Sequence, residues 1–247
     1  MGLVQLGLAP GVHRIEDSFV NWYLVEGDDG LTAVDAGLAS SWSSLRFALR
    51  KLGRRLDDLR AVVLTHAHFD HVGFAEKARR RLDIPVWVHR DDAELAGHPR
   101  RYDNERPALS YLWRPRAARI VGQMGAAGGL WAPAVSRVHV FGSQGVLDVP
   151  GRPVVIPSQG HTYGHVALHL PDRDVLIAGD ALVTLDPYTG RRGPRLVARA
   201  ATADSARAMA SLDALEATDA RTVLPGHGEP YMGVAGAVAL ARQAGSA

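Results

Sequence analysis

The stretch VVLTHAHFDHVGF, Val62 to Phe74, places His66, His68, Asp70 and His71 within six positions at the end of a β-branched, aliphatic run. Imidazoles this close repel one another once protonated. The cluster is tolerable when its rings stay neutral, and a bound cation is the common reason for that. In an extended loop the His66-x-His68 pair can turn both rings to one ion, while Asp70 and His71 are placed to serve a second. Three later residues, each preceded by glycine, extend the inventory: His161 in SQGHTYGH, Asp180 in AGDAL and His227 in PGHGEP. Five imidazoles and two carboxylates suit two divalent ions, one carboxylate being shared and leaving room for a bridging hydroxide. Such a hydroxide attacks a carbonyl or phosphoryl centre.

These residues can act together only if the chain brings distant loops to one edge. Four strand-like runs, AVVL, PVVIP, DVLIA and TVL, are each followed within a few residues by one of those His or Asp positions. In a layered α/β domain strand ends converge on one edge, so the loops can meet there. Upstream, GVHRI, SFVNWYLVE and LTAVDAG read as antiparallel strands, with GDDG as a hairpin turn. The segment SSWSSLRFALRKLG reads as a helix, with serines able to cap its start and Gly53 to stop it. Further along, the pattern predicts a helix from Phe74 to Arg81 and strands at VWVH and HVALHL. It also predicts a helix from Ala203 to Ala217 with an acidic start, and an Ala-rich helix after Gly233. A polar, helical stretch at about 91–135 fits no βα unit and reads as an insertion in a single domain spanning 1–247.

Composition narrows the chemistry. The chain has no cysteine, so disulfides, thiolate ligands and cysteine nucleophiles are excluded, and any metal must be held by nitrogen and oxygen. A net charge of +2 is too small to argue for nucleic acid. With no long apolar run and no charged-then-apolar leader, a cytoplasmic location with no membrane partner is the expectation.

At this point the motifs resemble a known family. THAHFDH followed by Gly73, His161 in GHTYGH, Asp180 in AGD and His227 in PGHG are similar, in order and over nearly the whole chain, to the five metal motifs of the metallo-β-lactamase superfamily. NWYLVEGDDGLTAVDAG likewise resembles that family's N-terminal segment, which ends in an Asp-x-Gly turn. The resemblance implies an α/β fold, a four-layer αββα sandwich of two mixed sheets with the metals at one edge. It implies His66, His68 and His161 on one metal, Asp70, His71 and His227 on the other, and Asp180 between them. It also implies that Asp35 supports the His66 loop from behind, where such partners fix a ligand's orientation. His165 reads either as another support or as a strand-start histidine satisfied by the backbone.

Departures from the family's branches narrow the expected activity. Lactamases with a thiolate ligand cannot be matched, and those without one lack an aspartate at the bridging place. Flavin-linked diiron reductases have glutamate where His68 stands, hydroxyacylglutathione hydrolases extend well beyond the last histidine, and nucleic-acid-processing members carry extra arms. The compact lactonases, thioesterases and related esterases remain. They imply a dinuclear metal-dependent hydrolase of an ester, thioester or lactone bond in a small molecule, with a metal-bridging hydroxide as nucleophile. The implied cofactor is two divalent metal ions, zinc first, with iron or manganese as alternatives. Asp70 would carry the proton to the leaving group. The alternative is a mononuclear iron persulfide dioxygenase-like oxidoreductase, because relatives with that activity use a subset of the same ligands. The expected partner is a small-molecule substrate, with no nucleic acid and a homodimer left open.

Between His98 and Trp131 six arginines mix with Tyr102, Tyr111, Trp113 and Trp131. Such a segment can roof the metal edge and bind an amphipathic or anionic substrate, or it can be a helix pair with a solvated basic face. Tyr163 is a candidate donor to a developing oxyanion. His13, His89, His98, His139 and His169 read as structural.

Overall fold

Along the strand Val20–Gly27 successive side chains enter two different cores. Trp22 and Leu24 pack with helix residues such as Trp42, Leu45 and Leu49, while Tyr23 and Val25 pack with Val155, Val166 and Ile177 of a second sheet. A strand that is apolar on both sides can only be an inner layer. The computed structural model, which describes residues 2–246, has this strand within a seven-stranded sheet. Its order is β1 (Leu3–Ala9), β2 (Val12–Asp17), β3 (Val20–Gly27), β4 (Gly30–Val34), β5 (Leu59–Val63), β6 (Val86–His89) and β7 (His139–Phe141). The first four strands are antiparallel, and those from β4 to β7 run parallel. Gly27 pairs with Gly30 across Asp28 and Asp29, as the hairpin signal predicts.

Helix α1 (Ser41–Lys51) joins β4 to β5, and α2 (Ala75–Leu82) joins β5 to β6. No serine side chain caps α1; the Ser41 hydroxyl instead accepts the Leu38 N–H, and Ser43 donates to the Ser40 carbonyl. Gly53, at φ +68°, ends the helix as expected. Between β6 and β7 lie α3 (Ala93–Gly97) and α4 (Pro115–Ala126).

The second half of the chain forms a six-stranded sheet from β8 (Gly145–Val146), β9 (Val154–Pro157), β10 (Val166–Leu170) and β11 (Val175–Gly179). A two-stranded ribbon of β12 (Val183–Leu185) and β13 (Arg192–Arg195) intervenes, then α5 (Ser205–Glu216), and β14 (Thr222–Pro225) and β15 (Tyr231–Met232) complete the sheet before α6 (Val234–Ala244). The Asp204 carboxylate caps α5 by accepting the Arg207 N–H. Leu212, Leu215, Ala237 and Val238 of α5 and α6 pack on Leu176 and Ala178 of the sheet. The resulting layers are helices, sheet, sheet, helices, the αββα arrangement expected.

The strands that the sequence pattern did not mark are β1, β7, β8, β12, β13 and β15. Most span two to four residues, and β1 is half-exposed along its length, so none shows the alternation that marks a buried strand. Among the described residues no helix is long and apolar enough to cross a membrane.

The loops that follow β5, β9, β11 and β14 are stitched together at one edge of the sandwich. Val166 N–H donates to the Thr65 carbonyl at 2.9 Å, Gly226 N–H to the Gly179 carbonyl at 2.8 Å, and Asn21 N–H to the Gly226 carbonyl at 2.7 Å.

Candidate metal centre

The loop after β5 leaves the sheet at Thr65. There the Thr65 N–H and hydroxyl donate to the Asp35 carboxylate, at 2.8 and 2.9 Å. His66 Nδ1 lies 3.1 Å from the Thr65 hydroxyl, so with its proton directed there Nε2 is left bare. His68 and His161 complete a first trio whose ligand atoms all lie within 4.8 Å of one another. The ring centroids are 4.7 Å apart for His66 and His68, 4.6 Å for His68 and His161, and 4.8 Å for His66 and His161.

A second trio joins Asp70, His71 and His227. His71 Nδ1 lies 2.9 Å from Asp35 Oδ2, which directs Nε2 away from the sheet. His227 Nδ1 lies 2.7 Å from the Phe19 carbonyl, across the β2–β3 hairpin. Both central residues of that turn, Ser18 and Phe19, have left-handed backbones, at φ +50° and +70°. A left-handed phenylalanine is costly, and here it aims a carbonyl at a histidine. Asp180 lies between the trios, with Oδ2 3.4 Å from His161 Nε2 and 3.3 Å from His227 Nε2, and Oδ1 3.6 Å from His71 Nε2. All seven residues are buried.

The trios differ in charge. Burial drives His66 and His161 well below the ordinary imidazole range, with help from neighbouring rings, and lowers His68 to about 4 although Asp70 and Asp180 oppose it. Burial acts the same way on His71, but Asp180, Asp35 and Asp70 outweigh it and raise that ring to about 9. His227 is likewise raised, against burial, by Asp180 and Asp70. Burial would raise the two aspartates, yet His71 and His227 hold both below the usual carboxylate range. Without metal, burial therefore favours neutral rings in the first trio, while the carboxylates favour the protonated form of His71 and His227.

The donor set fits metal ions. His66 Nε2, His68 Nε2, His71 Nε2, both nitrogens of His161 and Asp180 Oδ1 are buried without a hydrogen-bond partner among the described residues. A buried polar atom left unpaired costs roughly 1–3 kcal/mol, so a cluster of them, with one atom from each residue close to the others, calls for a ligand. Nitrogen and carboxylate oxygen in these numbers are the donors of a divalent transition metal.

Asp35 is bonded to Thr65 and His71. It adopts a left-handed backbone itself, at φ +61°. His165 is wholly buried; its Nε2 accepts the Asp180 N–H at 3.0 Å and its Nδ1 donates to Ser158 Oγ at 2.8 Å. It therefore holds the backbone of Asp180. Tyr163 is exposed, on the wall of a cavity of about 330 Å³ that His161, Leu95, Arg101 and Tyr102 also line. The 98–131 segment does not roof the edge with its tryptophans, since Trp113 and Trp131 are about three-quarters exposed at 75% and 73%. Five of its six arginines are also exposed. Tyr102 reaches the site, its ring centroid 4.2 Å from that of His68 and its hydroxyl 3.2 Å from that of Tyr188.

Several supporting residues carry no motif. Wholly buried Arg14 donates to Asn21 Oδ1, the Gly228 carbonyl and Glu229, while Asn21 Nδ2 donates to the Pro225 and Gly228 carbonyls. Together they cradle the His227 loop. A buried arginine in a strand of alternating character was the one available signal.

With this geometry in place, comparison with known proteins is informative. A model of the metallo-beta-lactamase superfamily matches residues 15–227. The chain is 26% identical over 245 residues to the probable metallo-hydrolase YflN of Bacillus subtilis, covering 91% of this chain and 86% of that one. Among solved structures it is similar to the metallo-beta-lactamase family protein TTHA1429 from Thermus thermophilus, with TM-score 0.67, 26% identity, and 95% and 79% of the two chains covered. It is also similar to TTHA1623, solved in a di-iron-bound form, with TM-score 0.59, 26% identity, and 86% and 89% covered. The ordered motifs, the layered fold and these matches agree: the chain belongs to the metallo-beta-lactamase superfamily.

Proposed function

We propose that this protein hydrolyses an ester, thioester or lactone bond in a small molecule at a centre of two divalent ions. Its superfamily and its metallo-hydrolase relatives make it a metal-dependent hydrolase. The observation that carries the finer reading is the pair of trios joined by Asp180, which supplies donors for two ions rather than one. The di-iron form of TTHA1623 supports the count, and zinc is the ion we favour for this chain.

In this reading His66, His68 and His161 hold one ion, Asp70, His71 and His227 the other, and Asp180 both. When bound, the ions polarise the substrate carbonyl and lower the pKa of water to near neutrality. The chain's own groups do the rest. Asp35 and the Phe19 carbonyl keep the protons of His71 and His227 on Nδ1, so that Nε2 faces the centre. Asp70, buried and ionised, takes the proton of the attacking water at Oδ2 and passes it to the leaving oxygen or sulfur, which departs as alcohol or thiol while the acyl group leaves as acid. The cavity beside His161 and Tyr102 has the volume for a small substrate.

A second reading, an iron oxidoreductase acting on persulfides, draws on the trio His66, His71 and Asp180, whose two imidazoles and one carboxylate are the donor set of mononuclear iron oxygenases. Elemental analysis with a substrate panel separates the two. Close to two zinc ions per chain and chelator-sensitive cleavage of an ester, thioester or lactone are expected. One iron per chain with oxygen uptake would replace this proposal with the second reading.

A further inference from the structure

Asp92 is a carboxylate that no motif marks, and it ties together the two loops that bear the first trio. It follows β6 and precedes α3, and it is 1% exposed. Its Oδ2 accepts the Ala67 N–H at 3.0 Å and the Thr162 hydroxyl at 2.8 Å, and its Oδ1 accepts the Gly164 N–H at 2.8 Å. Ala67 lies between His66 and His68, and Thr162 follows His161. One buried group thus reaches the chain on both sides of the three-ring set. The approach is close: a Cβ on Gly164 would stand 2.6 Å from Asp92 N and 2.7 Å from Oδ1, so that position has no room for a side chain. Three donors meeting a single carboxylate is a costly arrangement to bury unless each bond is made, and here each is made.

We propose that Asp92 is the positioning residue of the first trio, clamping the His66-x-His68 loop to the His161 loop so that three rings on two distant segments converge on one ion. The proposal rests on the metal-centre reading above. Asparagine at 92 would keep the shape but offer one oxygen to donors that now share two. Its NH₂ would then face at least one of the N–H or O–H groups that Asp92 accepts.

The test is a zinc titration of metal-free protein against a chromophoric chelator, which resolves two binding constants for the wild type. In Asp92→Asn one constant should weaken by about 10–100-fold and the other by less than about threefold, the size expected when an outer partner of a ligand is lost. The metal-free melting temperature should stay within a few degrees, which separates positioning from general destabilisation. Thr162→Val, which removes one of the three bonds, should weaken the same constant to a lesser degree, and Thr162→Ser, which keeps the hydroxyl, should restore it. Both constants unchanged, or both falling together, in Asp92→Asn would overturn the proposal. Should Asp92→Asn fail to fold, Thr162→Val with both constants unchanged overturns it equally. A wild-type chain that takes no zinc overturns the metal reading and this proposal with it.

Discussion

His66, His68 and His161 lie against Asp70, His71 and His227 at the same sheet edge, yet without metal burial pushes the three rings of the first trio toward the bare form, while neighbouring carboxylates favour the protonated form of His71 and His227. Burial is equal in the two; the carboxylates are not. Asp35, Asp70 and Asp180 surround His71, and Asp70 and Asp180 face His227, whereas His66 faces mainly other rings and the carboxylates near His68 and His161 do not offset burial there. The supports differ as well. Both trios lean on Asp35, the first through Thr65 and the second at His71, but the first also leans on Asp92 and the second on the N-terminal hairpin through Phe19, Asn21 and Arg14. Neighbouring charge therefore decides which ring is ready for a metal, and the second trio must shed protons to take one.

The contrast can be broken outright at Asp180, which belongs to both sides. Asp180→Ala should remove the shared carboxylate, leave one of the two ions weakly held and bring hydrolysis to background, while His169→Ala on β10 stays active. Similar activity in the two variants would refute the bridging role. A smaller loss is expected at Asp70, where asparagine keeps the shape but cannot relay a proton. There kcat should fall by about 10²-fold, the scale of a lost general acid–base group, with most of the metal retained. Comparing substrates with good and poor leaving groups checks this, since only the good one should be rescued; an equal loss on both would make Asp70 a ligand and nothing more.

Asp35→Asn sharpens the comparison further, because Asp35 bonds His71 directly and reaches His66 only through Thr65. It should weaken zinc at the second trio by about 10–100-fold and at the first by less, a profile different from that of Asp92→Asn, and chelator titration of both variants tests it. Matching profiles would mean the trios are not supported separately. The smallest effect concerns stability without metal. His71, raised from 6.5 to about 9, contributes stability that is complete below pH 6.5 and is lost as the pH rises through its folded value. Asp70 and Asp180, held below 3.8, contribute stability that is present above that pH and is lost on acidification. The metal-free melting temperature should fall by roughly a few degrees between pH 7 and 10, with less change in zinc-loaded protein. A flat profile for the metal-free form would contradict the charge assignment.

All seven candidate ligands were legible in the sequence because the HAHFDH cluster, and a His or Asp after glycine at a strand end, are local patterns. Their supports are another matter. The Phe19 carbonyl is backbone, carries no residue signature and meets His227 across 208 positions. Asp92 stands in HRDDAEL, where an aspartate before a short helix looks like ordinary helix-start chemistry, and nothing local points to Ala67 or Gly164. His165 had two readings, and only the placement of the Asp180 N–H assigns its Nε2. The strands followed the same rule: long buried runs such as Val175–Gly179 were visible, while β8 and β15, two residues each, exist only through their partners.

Calorimetric titration of zinc into metal-free protein near pH 7.5, repeated in buffers of different ionisation enthalpy, tests the two-trio centre most directly. Saturation is expected close to two ions per chain. The ion that fills the first trio should release few protons, and the other should release more, from His71 and His227 together with the water that the pair of ions deprotonates. Saturation at a single ion, or equal proton release for both, would contradict a centre built from one bare and one protonated set of ligands.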